Sequence, residues 1–391
     1  MVSKRINKLQ VTFLVMMLFG YELISFFPGL LNMESSRPMS VAYRICVLLL
    51  ALFVIFKNQL TLKKEHFIIY FFWFLYLIRL VYDTAITSKT IHSPLGDYWA
   101  FSVGILVSSM ACTSNFSQQT ILSVRKWVII ILAVVNVWGL YNNITQPQIY
   151  PDDVLIRTDA NASLNTVSFG RTSAVLFFIC FTIFLEKNKM LFKVLLGAGM
   201  TLALFNLFMA GSRGPLVQLI VVIIVFLLSA RKNINKKYVL LFIGVAILFV
   251  TMFPEYLDVS KLLFERFKET GFSSNDSDRL RSEYFNSAWN QFADHPFFGD
   301  SIETLVGGTY PHNLVLESLM ALGIVGGILV IIIIILAIIN SISYIKIPYY
   351  NWIGAILLMD VIASFSSGSI ANYLLFWPLL SLTINRVKNA E

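Results

Sequence analysis

Charged residues are scarce in this sequence. Lys, Arg, Asp and Glu make up 13% of the 391 residues, whereas 57% are hydrophobic. Soluble domains are roughly a quarter charged, so the composition excludes an ordinary soluble domain, a disordered chain and a soluble nucleotide-binding enzyme. Cysteine is scarce as well, since Cys46, Cys112 and Cys180 fall in or beside apolar runs without C-x-x-C spacing. They predict neither a disulfide framework nor a zinc site.

Long apolar runs are what the sequence has instead. A helix crosses a bilayer with about 20 apolar residues. The runs lie at about 9–31, 40–56, 65–84, 97–112, 126–144, 168–186, 190–210, 215–230, 238–254, 313–340, 351–369 and 372–385. We therefore predict an all-α polytopic membrane protein with about 12 transmembrane helices, which form a single membrane domain over residues 1–391. The first run contains Glu22 and is too long for a signal peptide, so we expect an uncleaved span.

The net charge of +8 follows from where the basic residues lie. Short cytoplasmic loops retain Lys and Arg. With the N-terminus placed inside, eighteen of the 30 basic residues fall on the cytoplasmic side and ten on the outer side. Arg44 and Arg79 lie within predicted spans, where Glu22 or Asp83 could pair with them. Both termini are therefore predicted to be cytoplasmic, and the charge gives no reason to expect nucleic acid.

One predicted outer loop is much longer than the others. Residues 255–312, between the ninth and tenth helices, contain five Lys or Arg against ten Asp or Glu. Within them Tyr284, Phe285, Ala288, Trp289 and Phe292 recur at spacings of three and four, which predicts a short amphipathic helix against the membrane or the bundle. Any extramembrane chemistry should involve this large periplasmic loop.

Arginines at predicted outer helix ends are the first chemical signal. Arg171 opens the sixth run, and Arg213 lies in the Gly211-Ser-Arg-Gly-Pro215 turn. A guanidinium grips phosphate oxygens in bidentate fashion, and the glycines allow close backbone approach. An arginine that snorkels to the interface is the other interpretation of each position.

Two histidines in the large loop are the second signal, together with Arg279 and Arg281. A neutral imidazole can accept a proton from an attacking hydroxyl, and nearby arginines can stabilise a departing anion. His295 precedes Pro296 and is more simply a turn residue. His312 could instead be a helix-entry residue, with Asn313 as the cap.

The spacing from His312 to Gly323, with ten residues between them, resembles the signature of the bacterial O-antigen ligase and polymerase superfamily. The Gly211-Ser-Arg-Gly214 turn, the run from the loop arginines through Trp289 to Pro296-Phe-Phe-Gly299, and the large loop between late helices are also similar to that family. The resemblance covers mainly residues 168–326. It implies a GT-C-type glycosyltransferase that uses an undecaprenyl-diphosphate-linked glycan donor, without a metal, cofactor or nucleotide sugar.

Carried over by residue, the resemblance implies that His312 is the catalytic base. Arg171, Arg213 and one of Arg279 and Arg281 would bind the substrate diphosphate, and the Arg281-x-Glu283-x-Phe285 run favours Arg281. The residues support such chemistry independently, because cations that hold the charge let a lipid diphosphate leave without protonation. Asp276 and Asp278 could hold Mg²⁺, but acidic residues in polar loops are more often solvated or paired, so no metal site is expected.

The same machinery fits two enzymes. We favour a polymerase of lipid-linked polysaccharide repeat units (O-antigen or capsule), because the acidic loop offers no basic surface for a phosphorylated core. The alternative is an O-antigen ligase that transfers the glycan to lipid A-core. A polysaccharide or lipid transporter is a third, less favoured hypothesis, because transporters commonly consist of two related halves and no half-repeat is visible in this sequence. The expected partners are the donor glycan, an acceptor lipid-linked glycan or lipid A-core, membrane lipids and a chain-length regulator. The expected location is the bacterial inner membrane, with the active site facing the periplasm.

Overall fold

The computed structural model of the protein describes residues 7–30, 36–86, 95–145, 164–186, 189–229 and 276–385. Within these ranges every regular element is helical, which confirms the all-α class. Six of the helices are long and apolar enough to cross a membrane: Arg37–Lys57, Lys64–Ile86, Gln118–Thr145, Thr166–Glu186, Met190–Met209 and Leu314–Ile345. The total of about 12 spans stays a prediction, because the predicted run at 238–254 lies outside the described residues.

The chain forms two compact units. Unit 1 comprises Met1–Tyr43, Gln118–Gly271 and Ile345–Ile356, and unit 2 comprises Arg44–Ser117, Phe272–Tyr344 and Leu357–Glu391. Numbered in chain order over the described residues, the helices are α1 Lys8–Val15, α2 Tyr21–Ile24, α3 Phe27–Leu30, α4 Arg37–Lys57, α5 Lys64–Val81, α6 Leu95–Ala111, α7 Gln118–Thr145, α8 Thr166–Glu186, α9 Met190–Met209, α10 Arg213–Ser229, α11 Asp276–Asp294, α12 Leu314–Ile345, α13 Asn351–Ala363 and α14 Phe376–Ile384.

The prediction of one continuous first helix is wrong. A π-helical turn at Met16–Gly20 follows α1, and Phe19 within it leaves helical geometry with φ −142° and ψ 16°. Two four-residue helices, α2 and α3, then follow in the later part of the predicted span. The Pro28-Gly29 pair in this stretch disfavours a regular helix, since proline lacks a backbone N–H and glycine loses most entropy when ordered.

Helix α8 is the centre of unit 1. Most of its residues are buried, and it packs against α7, α9 and α10. Glycine makes one of these contacts possible, because a Cβ at Gly139 would lie 2.4 Å from the Phe169 ring. A buried polar group links three helices: the Asn206 amide donates to the Asn136 carbonyl oxygen at 2.8 Å, and the Ser173 hydroxyl donates to Asn136 Oδ1 at 2.8 Å. Polar contacts of this kind join helices where the hydrophobic effect is weak.

Unit 2 holds a buried aromatic cluster between α5 and α14. The Trp377 ring stacks on Phe72 with centroids 5.3 Å apart and meets Trp73 edge to face, also at 5.3 Å.

Helix α12 is interrupted. Its 32 residues would span about 48 Å at 1.5 Å per residue, but Gly323 within it has φ 66° and ψ −158°, which is not helical. The break divides α12 into a short first segment, which follows His312, and a longer second segment.

The last two predicted spans are shorter than their apolar runs. Helix α13 ends at Ala363 and α14 begins at Phe376, so residues 364–375 between them are not helical. This stretch is rich in serine and contains Gly368, both of which favour turns over helix. Apolarity alone could not reveal the interruption.

Candidate active site

Arg171 and Arg213 lie at one end of unit 1. Arg171 is in the second turn of α8, and Arg213 is the first residue of α10. Their segments are in contact, because a Cβ at Gly170 would lie 3.1 Å from Pro215. Gly211 turns the chain between α9 and α10 with a left-handed φ of 59°, which few residues other than glycine adopt. The structure thus brings together the two segments that carry the predicted diphosphate ligands, and both arginine side chains are half-buried.

A carboxylate accompanies one of these arginines. The charge of Glu22 in α2 interacts with that of Arg171. The sequence suggested Glu22 as a partner of Arg44 or Arg79. The Arg44 guanidinium lies 3.5 Å from the centroid of the Phe101 ring. Glu22 therefore places a carboxyl group near a predicted diphosphate ligand.

His312 is the residue at which the large loop meets α12. Its backbone is left-handed, with φ 57°, a conformation that non-glycine residues rarely adopt outside functional or tightly constrained sites. The next residue caps the helix, since Asn313 Oδ1 accepts a hydrogen bond from the Leu316 N–H at 3.0 Å. Asn313 thus serves as the helix cap, while the His312 ring has other neighbours.

Two tyrosines flank the His312 imidazole. The Tyr310 ring meets it edge to face with centroids 4.6 Å apart, and the Tyr284 ring is 6.4 Å away. Burial, with a smaller contribution from Arg281, lowers the pKa of His312 from 6.5 to about 4. The imidazole is therefore neutral at physiological pH and has a lone pair available to accept a proton.

The two loop arginines differ in their surroundings. The charge of Arg281 acts on both His312 and Tyr310. Arg279 faces Glu283 one turn along α11, with Nε 3.9 Å from Oε1, and both side chains are largely exposed. Of the two, Arg281 is thus the one placed to influence His312.

The turn that follows α11 inserts into the break of α12. The Pro296 carbonyl oxygen accepts from the Ile324 N–H at 2.8 Å, and the Met320 carbonyl oxygen accepts from the Asp300 N–H at 2.7 Å. The break would leave these backbone groups of α12 without helical partners, and the turn supplies them. Predicted as a turn residue, His295 directly follows α11, and its Nε2 is 3.6 Å from Asp300 Oδ1.

A buried ion pair holds the same turn from another side. In α5 and the π-helical turn after it, Arg79 Nη2 is 2.8 Å from Asp83 Oδ1. Arg79 also donates to the Gly299 carbonyl oxygen at 3.2 Å, and Asp83 accepts from the Ile302 N–H at 2.9 Å. The expected Arg79–Asp83 pair is present, and it fixes the loop rather than only neutralising charge within a span.

The helix that the aromatic spacing predicted is present as α11, Asp276–Asp294, but only part of the predicted apolar face is buried. Ala288 packs with Leu316 and Met320 of α12, whereas Phe285 and Trp289 remain 46% and 51% exposed. The buried contacts are largely polar: Gln291 donates to Asp300, to Ser301 and to the Glu303 carbonyl oxygen, and accepts from the Leu305 N–H. Phe297 and Phe298 in the turn are 71% and 86% exposed.

Sequence reasoning missed two features beside His312. Glu317 is fully buried, and its carboxylate accepts from the Ile370 N–H at 3.0 Å and the Ser369 hydroxyl at 3.2 Å. The second is the non-helical segment 364–375 itself. An acidic residue inside an apolar run was the available signal for Glu317, because a carboxylate in such a run needs a partner. Asp276 and Asp278 have side chains outside the described part of the chain, so their predicted lack of metal stays untested.

Six membrane-length apolar helices, with a loop and a broken helix that hold a neutral histidine among tyrosines, define a polytopic membrane protein with a polar site. Residues 198–331 match the family model described as O-antigen ligase. The match is consistent with the O-antigen ligase and polymerase superfamily, so the resemblance predicted from the motifs is confirmed. The matched range contains Arg213, Arg279, Arg281 and His312, whereas Arg171 precedes it. No curated protein matches the chain.

Proposed function

We propose that the protein is a polymerase of lipid-linked polysaccharide repeat units, with His312 as its catalytic base. The family match supports a ligase-type or polymerase-type glycosyltransferase. The observation that carries the proposal further is His312 itself, which is neutral, held in a left-handed backbone conformation and flanked by Tyr310. A rare backbone conformation at a histidine aims its side chain where a regular helix entry would not.

The proposed reaction is a single glycosyl transfer. His312 accepts the proton of an acceptor sugar hydroxyl, and the hydroxyl oxygen attacks the anomeric carbon of the donor. A glycosidic C–O bond forms as the bond between the anomeric carbon and the phosphate oxygen breaks, and the diphosphate leaves with the electron pair. The leaving group needs no proton if cations hold its charge. The residues therefore need to supply one base and a set of fixed positive charges.

The low pKa of His312 makes it a weak base in the free protein, since general bases work best when their pKa lies near the operating pH. A bound diphosphate would oppose the effect of the Arg281 charge and raise the pKa of His312. His312 would then become a stronger base once the donor has bound. Such coupling would favour proton removal from the acceptor when a donor is in place.

Arg171 and Arg213 are proposed as diphosphate ligands in unit 1. Their half-buried side chains and the close approach of Gly170 to Pro215 support the assignment. Arg171→Lys and Arg213→Lys should each weaken donor binding about tenfold or more, because lysine cannot make the bidentate contact. Arg37→Lys, at an exposed residue that also begins a helix, is the matched control and should leave donor binding unchanged. Equal binding by all three variants would remove both arginines from the donor site.

We place the reaction at the periplasmic face of the inner membrane, with both termini cytoplasmic, on the strength of the Lys and Arg distribution. The donor is proposed to be an undecaprenyl-diphosphate-linked glycan. The excess of Asp and Glu in residues 255–312 favours a lipid-linked repeat unit over a phosphorylated core as acceptor. A ligase is the second candidate, and the description of the matching family favours it.

A reconstitution experiment separates the candidates. Purified protein in bilayers would receive lipid-linked repeat units alone, or repeat units together with lipid A-core, and the glycan products would be separated by size. A ladder without core supports the polymerase, whereas transfer only to core overturns that choice in favour of the ligase. Glycan that crosses the bilayer without new glycosidic bonds would identify a transporter. The His312→Asn variant should give no ladder, which ties the products to the proposed base.

A further inference from the structure

The non-helical segment 364–375 lies beside His312 in unit 2. Leu314, the first residue of α12, donates its N–H to the Ser364 carbonyl oxygen at 2.8 Å. The Asn313 side-chain amide donates to the Phe365 carbonyl oxygen at 3.2 Å. The residues directly after His312 are therefore bonded to the start of the segment.

The other end of the segment contacts the residue two places before His312. Asn372 is hydrogen bonded through its side chain to the Tyr310 hydroxyl. The Tyr310 ring in turn packs on the His312 imidazole. The segment thus contacts the chain on both sides of the proposed base.

The middle of the segment is held by hydrogen bonds from α12 and α14. Glu317 accepts from Ser369 and from the Ile370 N–H, and the Trp377 indole donates to the Ile370 carbonyl oxygen at 3.1 Å. These bonds satisfy backbone groups that lack helical partners, which a membrane protein tolerates where such backbone is buried in protein or lines a polar site. The conformation of the segment is therefore fixed by contacts with two helices.

The exposed residues of segment 364–375 are all uncharged. Ser366 and Asn372 are exposed and uncharged, and Phe365 between α13 and Ser366 is 50% exposed. An amide side chain offers both donors and an acceptor, and a hydroxyl offers one of each. Each of these groups can pair with a sugar hydroxyl, which is itself a donor and an acceptor.

We propose that Ser366 and Asn372 bind the acceptor sugar, with Phe365 packing on its apolar face, and so position its reacting hydroxyl at His312. This inference rests on the proposed glycosyl transfer. The ligand it assigns is a neutral hexose unit at the end of a glycan, and the segment supplies no cation for a phosphate. Arginine ligands serve the donor diphosphate, and uncharged groups serve the acceptor.

The test needs substrates that cannot exchange roles. The donor would lack the hydroxyl that acts as acceptor on its terminal sugar, and the acceptor would carry a non-cleavable phosphonate in place of the linking phosphate. With these two molecules in bilayers, the KM for acceptor and the KM for donor are measured separately. Asn372→Ala should raise the acceptor KM about tenfold through the loss of its hydrogen bonds, and Ser366→Ala should raise it severalfold. Both variants should leave the donor KM within twofold of the original value.

Asn290→Ala is the matched control, because Asn290 is an exposed amide elsewhere in unit 2. It should leave both constants unchanged. A purely supporting role for Asn372, through Tyr310, predicts that Tyr310→Phe gives the same acceptor KM as Asn372→Ala, and that result would overturn the inference. An unchanged acceptor KM in both variants, or an equal rise for donor and acceptor, would overturn it as well. If the unaltered protein forms no glycosidic bond with this pair or with lipid A-core, the proposed function itself fails.

Discussion

Gly299 and Gly323 occupy opposite sides of one backbone contact. A Cβ at Gly299 would lie 2.4 Å from the Ala321 carbonyl carbon, and a Cβ at Gly323 would lie 2.4 Å from the Phe297 carbonyl oxygen. Both glycines also have positive φ, 73° and 66°. Packing therefore explains why the His312 motif ends in glycine at Gly323. The turn after α11 can enter the break in α12 only where neither of the two segments carries a side chain.

The first prediction concerns these glycines. Gly299→Ala and Gly323→Ala should each destabilise the protein by at least about 1–3 kcal/mol, because alanine is strained at a positive φ. The added Cβ would also clash with backbone atoms, which cannot easily move aside. Thermal unfolding in bilayer discs measures this loss. Gly104→Ala is the control, because nothing lies within 4 Å of its added Cβ, and alanine in a helix is favoured by up to about 1 kcal/mol. Equal melting temperatures for all three would contradict the described contact.

The second prediction separates the chemistry of His312 from its backbone. Asparagine adopts left-handed φ more readily than most residues, so His312→Asn should preserve the loop while removing the base. Turnover should fall roughly 10²–10⁴-fold, with donor binding and expression largely retained. His312→Ala should lose turnover to a similar degree, and retained turnover in either variant would eliminate His312 as the base.

The third prediction is a pH dependence. In the proposed mechanism the neutral form of His312 is the active one. Its pKa is lowered to about 4, so kcat/KM should fall only as the pH drops through about 4. Arg281→Gln removes a positive charge that lowers this pKa, so the fall should begin at a higher pH. Burial is the larger cause and remains, so the shift should cover only part of the distance to 6.5.

Arg279→Gln is the control for that profile, because Arg279 faces Glu283, whereas burial and the charge of Arg281 lower the pKa of His312. The profile of kcat/KM against pH should match that of the original protein. A shift of equal size in the Arg279 and Arg281 variants would show that general loop charge, and not the position of Arg281, sets the pKa.

The fourth prediction concerns the pair that holds the turn. Removing one partner of a buried ion pair typically costs about 3–5 kcal/mol, so Arg79→Met and Asp83→Asn should each be strongly destabilising. The turn should also become easier to cleave by added protease, because Arg79 and Asp83 both bond to its backbone. Glu283→Gln breaks an exposed pair in the same unit and should change little. Loss of stability without increased cleavage would show that the Arg79–Asp83 pair does not hold the turn in place.

The sequence allowed the helical class and the family resemblance to be predicted, because both depend on local signals. Apolar runs mark helices, and the spacing from His312 to Gly323 marks the motif. What could not be predicted depends on contacts between distant residues. Arg79 bonds to a carbonyl 220 positions later in the chain, and no sequence pattern records a backbone acceptor. The break between α13 and α14 was hidden for the same reason, since Glu317 supplies its hydrogen bonds from another helix.

The turn with Phe297 and Phe298 connects two of the membrane-length helices. Its backbone is bonded to α5 through Arg79 and to α12 through Ile324, and both belong to membrane-length helices. The two phenyl rings are 71% and 86% exposed, and exposed apolar surface of this kind is typical of a protein or membrane contact. Hydrophobic mismatch is usually relieved by tilting helices or thinning the bilayer. Because the turn is bonded to both α5 and α12, a change in the tilt of either helix would act on the hydrogen bonds that close the break in α12.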